Sequence, residues 1–132
     1  RLGICYASPE IISILNKIKP PYNINNLTQN AALQKLNDIG ETYEQIVEIN
    51  KNKYLLINEL SKINFIKKIF PSQANFILVR VDDANRRYEE LLQYGFVVRN
   101  RTKEPLCENC LRFTIGTEQE VLSLINTFKK LA

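Results

Sequence analysis

The sequence predicts an α+β fold for the C-terminal half of the chain, in which helices pack on a small sheet. The predicted elements from residue 65 onward follow the order strand, strand, helix, strand, strand, helix, which is typical of this fold class. The 132 residues are 45% hydrophobic and 24% charged, a composition that can build one hydrophobic core in a domain of ordinary size. No apolar run in the sequence approaches the ~20 residues that a membrane-spanning helix requires.

The beginning of the chain is predicted to contain one strand and two helices. Residues 1–7 are strand-like, and Ser8 with Pro9 begins a helix that ends before Pro20, since serine is a favourable cap and proline suits the first turn. A second helix is predicted over residues 27–37. A strand must pair within a sheet, and the chain contains no Met, so we expect it to be part of a longer protein.

A long helix is predicted from about residue 41 to residue 63, with a bend near Gly40. Its length makes it a candidate connector between two parts of the protein. Apolar residues at helical spacing predict its buried side. These residues are Tyr43, Ile46, Val47, Tyr54, Ile57 and Leu60.

The C-terminal half is predicted to contain four strands and two helices. The strands are 65–70, 75–81, 96–98 and 110–115, and the first helix is 83–93. Pro71 separates the first two strands because proline interrupts a ladder, and Gly95 suits the end of the helix. Thr117 and Glu120 fit a capping box that opens the last helix. The residues that this helix is expected to bury are Val121, Leu124, Ile125 and Phe128.

Composition excludes several classes of function. The chain has no His, which rules out the usual catalytic triads and His-based metal sites, and it has no glycine-rich phosphate loop. The net charge is +4, and the lysines are scattered among acidic residues, unlike the clustered basic face of a nucleic-acid-binding protein. We therefore expect no bound metal, nucleic acid or membrane.

Three cysteines are present, two of them in a CxxC spacing at Cys107 and Cys110. A structural zinc site usually needs four ligands, and Cys5 is the only other thiol. A redox dithiol is a further alternative, although the sequence around it is not thioredoxin-like. We interpret the spacing as coincidental, and the odd number of cysteines indicates a reducing compartment, the cytoplasm.

Two arginines are the candidate binding residues. Arg99 follows one predicted strand, and Arg112 lies within another, between Leu111 and Phe113. A guanidinium binds a carboxylate or phosphate through two parallel hydrogen bonds. If the two strands are neighbours, both arginines can converge on one anion. The alternative is that they are ordinary solvated arginines, although a charge in an apolar strand needs a partner.

Five motifs occur in an order that resembles a known enzyme family. They are Arg1-Leu-Gly, Lys19-Pro-Pro-Tyr-Asn23, Pro71-Ser-Gln-Ala-Asn-Phe76, Val98-Arg-Asn-Arg101 and Cys110-Leu-Arg-Phe-Thr-Ile-Gly-Thr117. Together they resemble the C-terminal part of the histidinol-phosphate aminotransferases, which are fold-type I pyridoxal-phosphate enzymes of the class I/II aminotransferases. The resemblance covers essentially the whole chain.

The resemblance implies roles for individual residues. Arg1 matches the arginine that holds the phosphate of the pyridoxal 5′-phosphate cofactor. Arg112 matches the arginine that binds the substrate carboxylate or the phosphate replacing it, and Arg99 matches a second anion-binding arginine. Residues 22–23 match a loop near the active-site mouth, and Asn75 matches a family asparagine for which we expect a structural role. The Schiff-base lysine has no counterpart in this chain, so we expect no catalytic residue here.

The resemblance also implies an architecture and partners. Residues 1–37 would end the large cofactor-binding domain, residues 38–64 would form a connecting helix, and residues 65–132 would form the small C-terminal α+β domain. The full-length enzyme would be a cytoplasmic homodimer that acts on small amino-acid or phosphate-ester substrates, and this fragment alone would be inactive. A threonine-phosphate decarboxylase-like enzyme and a non-catalytic anion-binding domain are the alternatives.

Overall fold

The computed structural model describes residues 2–132. They form two compact units, one up to residue 43 and one from residue 44. The elements are α1 (Pro9–Ile18), α2 (Asn26–Asn37), α3 (Ile39–Leu60), β1 (Ile66–Ile69), β2 (Phe76–Val81), α4 (Ala84–Gln93), β3 (Arg99–Asn100), β4 (Cys110–Thr114) and α5 (Glu118–Leu131). Helix α3 continues across the division. Within the described residues, every helix is too short or too polar to cross a membrane.

The first unit confirms the two predicted helices but not the opening strand. Helix α1 begins at Pro9, with the amide of Ile12 donating to the carbonyl of Ser8 at 3.0 Å, but the side chain of Ser8 makes no capping hydrogen bond, so the predicted serine cap was wrong. Helix α2 is capped by Asn25, whose side chain accepts from the amide of Thr28 at 2.8 Å. Residues 2–8 form no strand and are exposed. The strand prediction was wrong for this chain because no described segment pairs with these residues, and an extended segment needs such a partner to become a strand.

The predicted buried face of α3 was wrong for four of its six residues. Tyr43, Ile46, Val47 and Tyr54 are exposed, whereas Ile57 is partly buried and Leu60 is buried, as predicted. Asn52, Lys53 and Leu56 are buried as well. The two buried polar side chains satisfy backbone carbonyls. Asn52 Nδ2 donates to the oxygen of Gly116 at 3.1 Å, and Lys53 Nζ donates to that of Ala74 at 3.0 Å. Because these acceptors lie far along the chain, an apolar pattern within the helix could not identify this face.

The second unit contains one four-stranded antiparallel sheet in the order β1-β2-β4-β3. The order of elements from residue 65 is the predicted one. The β1–β2 register shifts between Ile66 and Lys68, which marks a bulge in the edge strand. Strand β2 alternates strictly, with Ile77, Val79 and Val81 buried. One face of the sheet therefore faces the core, as the period of two requires.

Helix α5 packs on this face as predicted. Its buried apolar side chains are Val121, Leu124, Ile125 and Phe128. The ring of Phe128 lies 5.7 Å from that of Phe65 and 5.5 Å from that of Phe113 on β4. Full burial of a large apolar side chain contributes roughly 1.5–3 kcal/mol. The aromatic cluster therefore joins the start of β1, the centre of β4 and the end of α5.

The capping box at the start of α5 is confirmed. The hydroxyl of Thr117 accepts from the amide of Glu120 at 3.4 Å, and the carboxylate of Glu120 accepts from the amide of Thr117 at 2.8 Å. The hydrogen bond from the amide of Thr117, together with one that the hydroxyl of Thr117 donates to the same carboxylate at 2.9 Å, lowers the pKa of Glu120. The box satisfies amides that the first turn of a helix leaves without a partner.

The turn after α4 contains Gly95, whose φ of 81° lies in the left-handed region that favours glycine. The amide of Gly95 donates to the carbonyl of Leu92, and that of Phe96 donates to the carbonyl of Leu91, both at 2.9 Å. These two bonds define a Schellman motif. The strand prediction for residues 96–98 was wrong, since the strand there, β3, comprises only Arg99 and Asn100. The amide of Phe96 bonds to the end of α4 and is not available to the sheet.

Arg87 on α4 is buried in a cluster of charged and aromatic groups. Its guanidinium donates to the carboxylates of Asp82 at 2.9 Å and Glu90 at 2.8 Å, and to the carbonyl of Leu131 at 3.3 Å. It lies 3.7 Å from the ring centroid of Phe65. The hydrogen bond from Arg87 lowers the pKa of Asp82 to about 2. This cluster connects the end of β2, helix α4, the start of β1 and the end of α5.

Candidate anion-binding site

The two candidate arginines lie directly opposite each other on neighbouring strands. Arg112 is the central residue of β4, and its Cα is the register partner of Arg99 on β3. Its neighbours Leu111 and Phe113 face the core and are buried, so Arg112 projects to the opposite face of the sheet. The structure therefore brings together the two residues that the sequence could only propose as neighbours.

This arrangement places two positive charges side by side. Directly opposed like charges destabilise a strand pair. Within residues 2–132, no carboxylate forms an ion pair with either Arg99 or Arg112. The other described arginines all have carboxylate partners, at distances between 2.8 and 3.7 Å. These are Arg80, Arg86, Arg87 and Arg101.

Arg112 is half-buried and held in place from one side. Its guanidinium carbon lies 5.0 Å from the ring centroid of Phe76 on the neighbouring strand β2. Its Nε is buried and has no hydrogen-bond partner among the described residues. Buried donors in folded proteins almost always have an acceptor. The aromatic contact thus orients a donor that an anion would satisfy.

A cleft of about 660 Å³ opens beside the arginine pair. Asn100 fixes one wall, since its Nδ2 donates to Oδ1 of Asn85 at 2.8 Å and its Oδ1 accepts from the amide of Thr102 at 3.0 Å. The lining residues are Tyr88, Val97, Val98, Arg99, Asn100, Arg112 and Thr114. They combine two guanidiniums and two hydroxyls with no carboxylate, a chemistry that suits a carboxylate or phosphate group.

Thr114 is a cleft residue that the sequence analysis did not single out. It follows Arg112 by two positions in β4, so the period of a strand places both on the same face. This two-residue spacing from Arg112 could have identified Thr114 from the sequence. Tyr88 on α4 is partly buried against the core and also lines the cleft.

The remaining predicted residues lie elsewhere or outside the described part. Arg1, the cofactor-binding prediction, lies outside the described residues. Tyr22 has a φ of 54° in an exposed turn of the first unit, next to the exposed Asn23. The backbone oxygen of Asn75 accepts from the amide of Ile115 at 2.8 Å.

The cleft does not by itself fit pyridoxal phosphate. The cofactor's aldehyde must react with an amine, and the residues that line the cleft include no lysine. Its arginines fit an anionic group such as a carboxylate or a phosphate. No step that passes through the cofactor follows from these residues.

Comparison with known proteins identifies the family. The family model of aminotransferase class I and II matches residues 1–128, and the chain belongs to this family. Histidinol-phosphate aminotransferase from Flavobacterium johnsoniae is 53% identical over 99% of this chain. The crystal structure of histidinol-phosphate aminotransferase from Clostridium acetobutylicum covers 92% of this chain with a TM-score of 0.81 and 30% identity. The α+β prediction and the resemblance to fold-type I aminotransferases are confirmed.

The chain spans only part of these relatives. It corresponds to 38% of the Flavobacterium johnsoniae enzyme and 37% of the Clostridium acetobutylicum enzyme. The crystal structure of L-threonine-O-3-phosphate decarboxylase from Porphyromonas gingivalis is similar over 95% of this chain and 39% of its own length, with a TM-score of 0.78. At 19% identity, that likeness concerns the fold alone.

Proposed function

We propose that the chain is the C-terminal part of a pyridoxal-phosphate-dependent aminotransferase that transfers an amino group between L-histidinol phosphate and 2-oxoglutarate, a reaction of histidine biosynthesis. The uncompensated pair of Arg99 and Arg112 carries this proposal. It is supported by the 53% identity to an enzyme named histidinol-phosphate aminotransferase. The complete protein acts as a cytoplasmic homodimer, and this chain alone is inactive.

The proposed substrates share one feature that an arginine pair can recognise. Glutamate carries an α-carboxylate where histidinol phosphate carries a phosphomethyl group. A carboxylate satisfies one guanidinium through a bidentate pair, and a phosphate has further oxygens for a second one. In this proposal Arg112 binds the anion of either substrate, and Arg99 contributes chiefly when the anion is a phosphate.

Pyridoxal phosphate, the cofactor of enzymes in this family, supplies the electron sink for amino transfer when it is bound. The contribution of this chain is to hold and orient the substrate anion, which lowers the entropic cost of reaction. Arg1 is proposed to hold the cofactor phosphate. Residues 1–37 are proposed to complete the large domain, residues 38–64 to form the connecting helix and residues 65–132 to form the small domain.

The test begins with the coding sequence upstream of Arg1. Joined to this chain, it should supply a lysine just before Arg1 and give a protein that exchanges amino groups with both L-histidinol phosphate and glutamate. The cofactor's absorbance change in each half-reaction is the measurement. L-Histidinol without the phosphate is the matched control and should react more slowly. Carbon dioxide release from threonine phosphate without amino transfer would instead identify a decarboxylase, and phosphate binding without either reaction would identify a non-catalytic domain.

A further inference from the structure

Cys107 and Cys110 lie at the two ends of one hydrogen-bonded turn. The amide of Cys110 donates to the carbonyl of Cys107 at 3.0 Å, and Asn109 between them has a φ of 54°. Both cysteines are free thiols. From this geometry we propose that they form a reversible intramolecular disulfide when the protein meets a small-molecule disulfide such as oxidised glutathione.

The turn holds the two residues at a separation that a disulfide can bridge. A four-residue turn keeps its end Cα atoms within about 7 Å. Disulfides join residues whose Cα atoms are about 4.4–6.8 Å apart. The CxxC spacing alone was interpreted as coincidental, but the hydrogen-bonded turn that joins Cys107 and Cys110 favours a pair of thiols that can react with each other.

Contacts from β2 and α4 fix the turn before any bond forms. Arg80 Nε donates to the carbonyl of Glu108 at 3.0 Å, and the amide of Val81 donates to the carbonyl of Asn109 at 2.9 Å. The side chain of Asn109 accepts from the amide of Ala84 at 3.2 Å. Because the backbone is already ordered, bond formation costs little further conformational entropy.

The two thiols differ in exposure, which assigns their order of reaction. Cys107 is partly exposed and accessible to a small oxidant, whereas Cys110 is fully buried, with its thiol directed at the carbonyl of Glu108 at 3.6 Å. In this assignment Cys107 attacks first and Cys110 resolves the intermediate. A metal is a weaker alternative, since within residues 2–132 no group of three potential ligands lies together.

The proposed reaction balances in two steps of thiol–disulfide exchange. The thiolate of Cys107 attacks one sulfur of oxidised glutathione, the glutathione S–S bond breaks, and one glutathione leaves as a thiol after taking up a proton. Cys110 then loses its proton and attacks the sulfur of Cys107, which releases the second glutathione. Two cysteine thiols are oxidised to one disulfide, and one glutathione disulfide is reduced to two thiols.

The experiment uses this chain with Cys5→Ser, so that only the two cysteines of the turn remain. After treatment with excess oxidised glutathione, we expect peptide mass analysis to find Cys107 linked to Cys110 and no retained glutathione, with full reversal by dithiothreitol. The matched variant Cys110→Ser should retain glutathione on Cys107, at least about tenfold more than the two-cysteine protein does, because its second step cannot occur.

A second variant separates chemistry from folding. Cys107→Ser changes a partly exposed residue and should fold normally while forming neither a disulfide nor a comparable glutathione adduct, since the remaining thiol is buried. Stable glutathione on Cys107 of the two-cysteine protein would overturn the proposal. So would two unmodified thiols in that protein under conditions that modify Cys107 in the Cys110→Ser variant.

Discussion

Replacing Arg87 by alanine should strongly destabilise the second unit. The side chain of Arg87 is only 7% exposed, whereas that of the adjacent Arg86 is 56% exposed. Both arginines contact the same two carboxylates, those of Asp82 and Glu90. The pair of variants Arg87→Ala and Arg86→Ala therefore compares a buried and an exposed cation that share their partners.

The expected magnitude follows from the contacts of Arg87. Hydrogen bonds to charged groups contribute about 1.5–3 kcal/mol each, and a desolvated cation–π contact such as that with Phe65 contributes about 2 kcal/mol. The carboxylates of Asp82 and Glu90 are 31% and 27% exposed, so water replaces part of what they lose. We expect Arg87→Ala to lower the free energy of unfolding by about 3 kcal/mol.

The measurement is urea unfolding, monitored by circular dichroism, for wild type and both variants. Arg86→Ala should lower the free energy of unfolding by less than about 1 kcal/mol, as exposed ion pairs contribute little. If Arg87→Ala does not fold, Arg87→Lys supplies the comparison, because lysine keeps the charge but not the planar fork. Equal effects at Arg86 and Arg87, or a loss below about 1 kcal/mol at Arg87, would refute the reasoning.

Three further predictions concern the complete enzyme, acid stability and the capping box. In the proposed full-length aminotransferase, Arg112→Ala should lower catalytic efficiency roughly 30-fold or more with both glutamate and L-histidinol phosphate, and Arg112→Lys should restore little of it. Arg99→Ala should lower the efficiency with L-histidinol phosphate more than that with glutamate. Equal effects of Arg99→Ala in the two half-reactions would contradict its proposed role. The pKa of Asp82 falls from 3.8 to about 2 on folding, so its contribution of about 1–2 kcal/mol is present above the unfolded pKa and disappears as the pH falls through the folded one. Acid titrations of the unfolding free energy should therefore show a smaller loss in Arg87→Ala than in wild type, because the hydrogen bond from Arg87 is the largest cause of the lowered pKa of Asp82. Thr117→Ala should cost about 1 kcal/mol in urea unfolding, and Thr117→Ser should restore most of it.

Local sequence patterns predicted the elements whose stability is itself local. The capping box at Thr117 and the helical spacing of Val121 and Phe128 depend on residues three or four positions apart, and all are present as predicted. The buried polar residues could not be predicted in this way. Arg87 is buried against the carbonyl of Leu131, and Asn52 against that of Gly116, so their burial depends on contacts between distant parts of the sequence.

The candidate site, too, could be predicted from the sequence only where it depends on local pattern. A charged residue within an apolar strand identified Arg112, because burying a charge requires a partner. Its pairing with Arg99 depends on the register between β3 and β4. The sequence shows that both residues are arginines, but it does not show which residues of two strands lie opposite each other.

The two edges of the sheet have a consequence for aggregation. Edge strands expose unpaired amides and carbonyls that can recruit strands of other molecules. Edge strand β3 has only two residues, and edge strand β1 is bulged and carries the exposed lysines Lys67 and Lys68. A strand that docked on β1 would have to follow an irregular ladder and bring its own charges close to two ammonium groups. The two edges of the sheet thus disfavour strand-by-strand polymerisation of this domain.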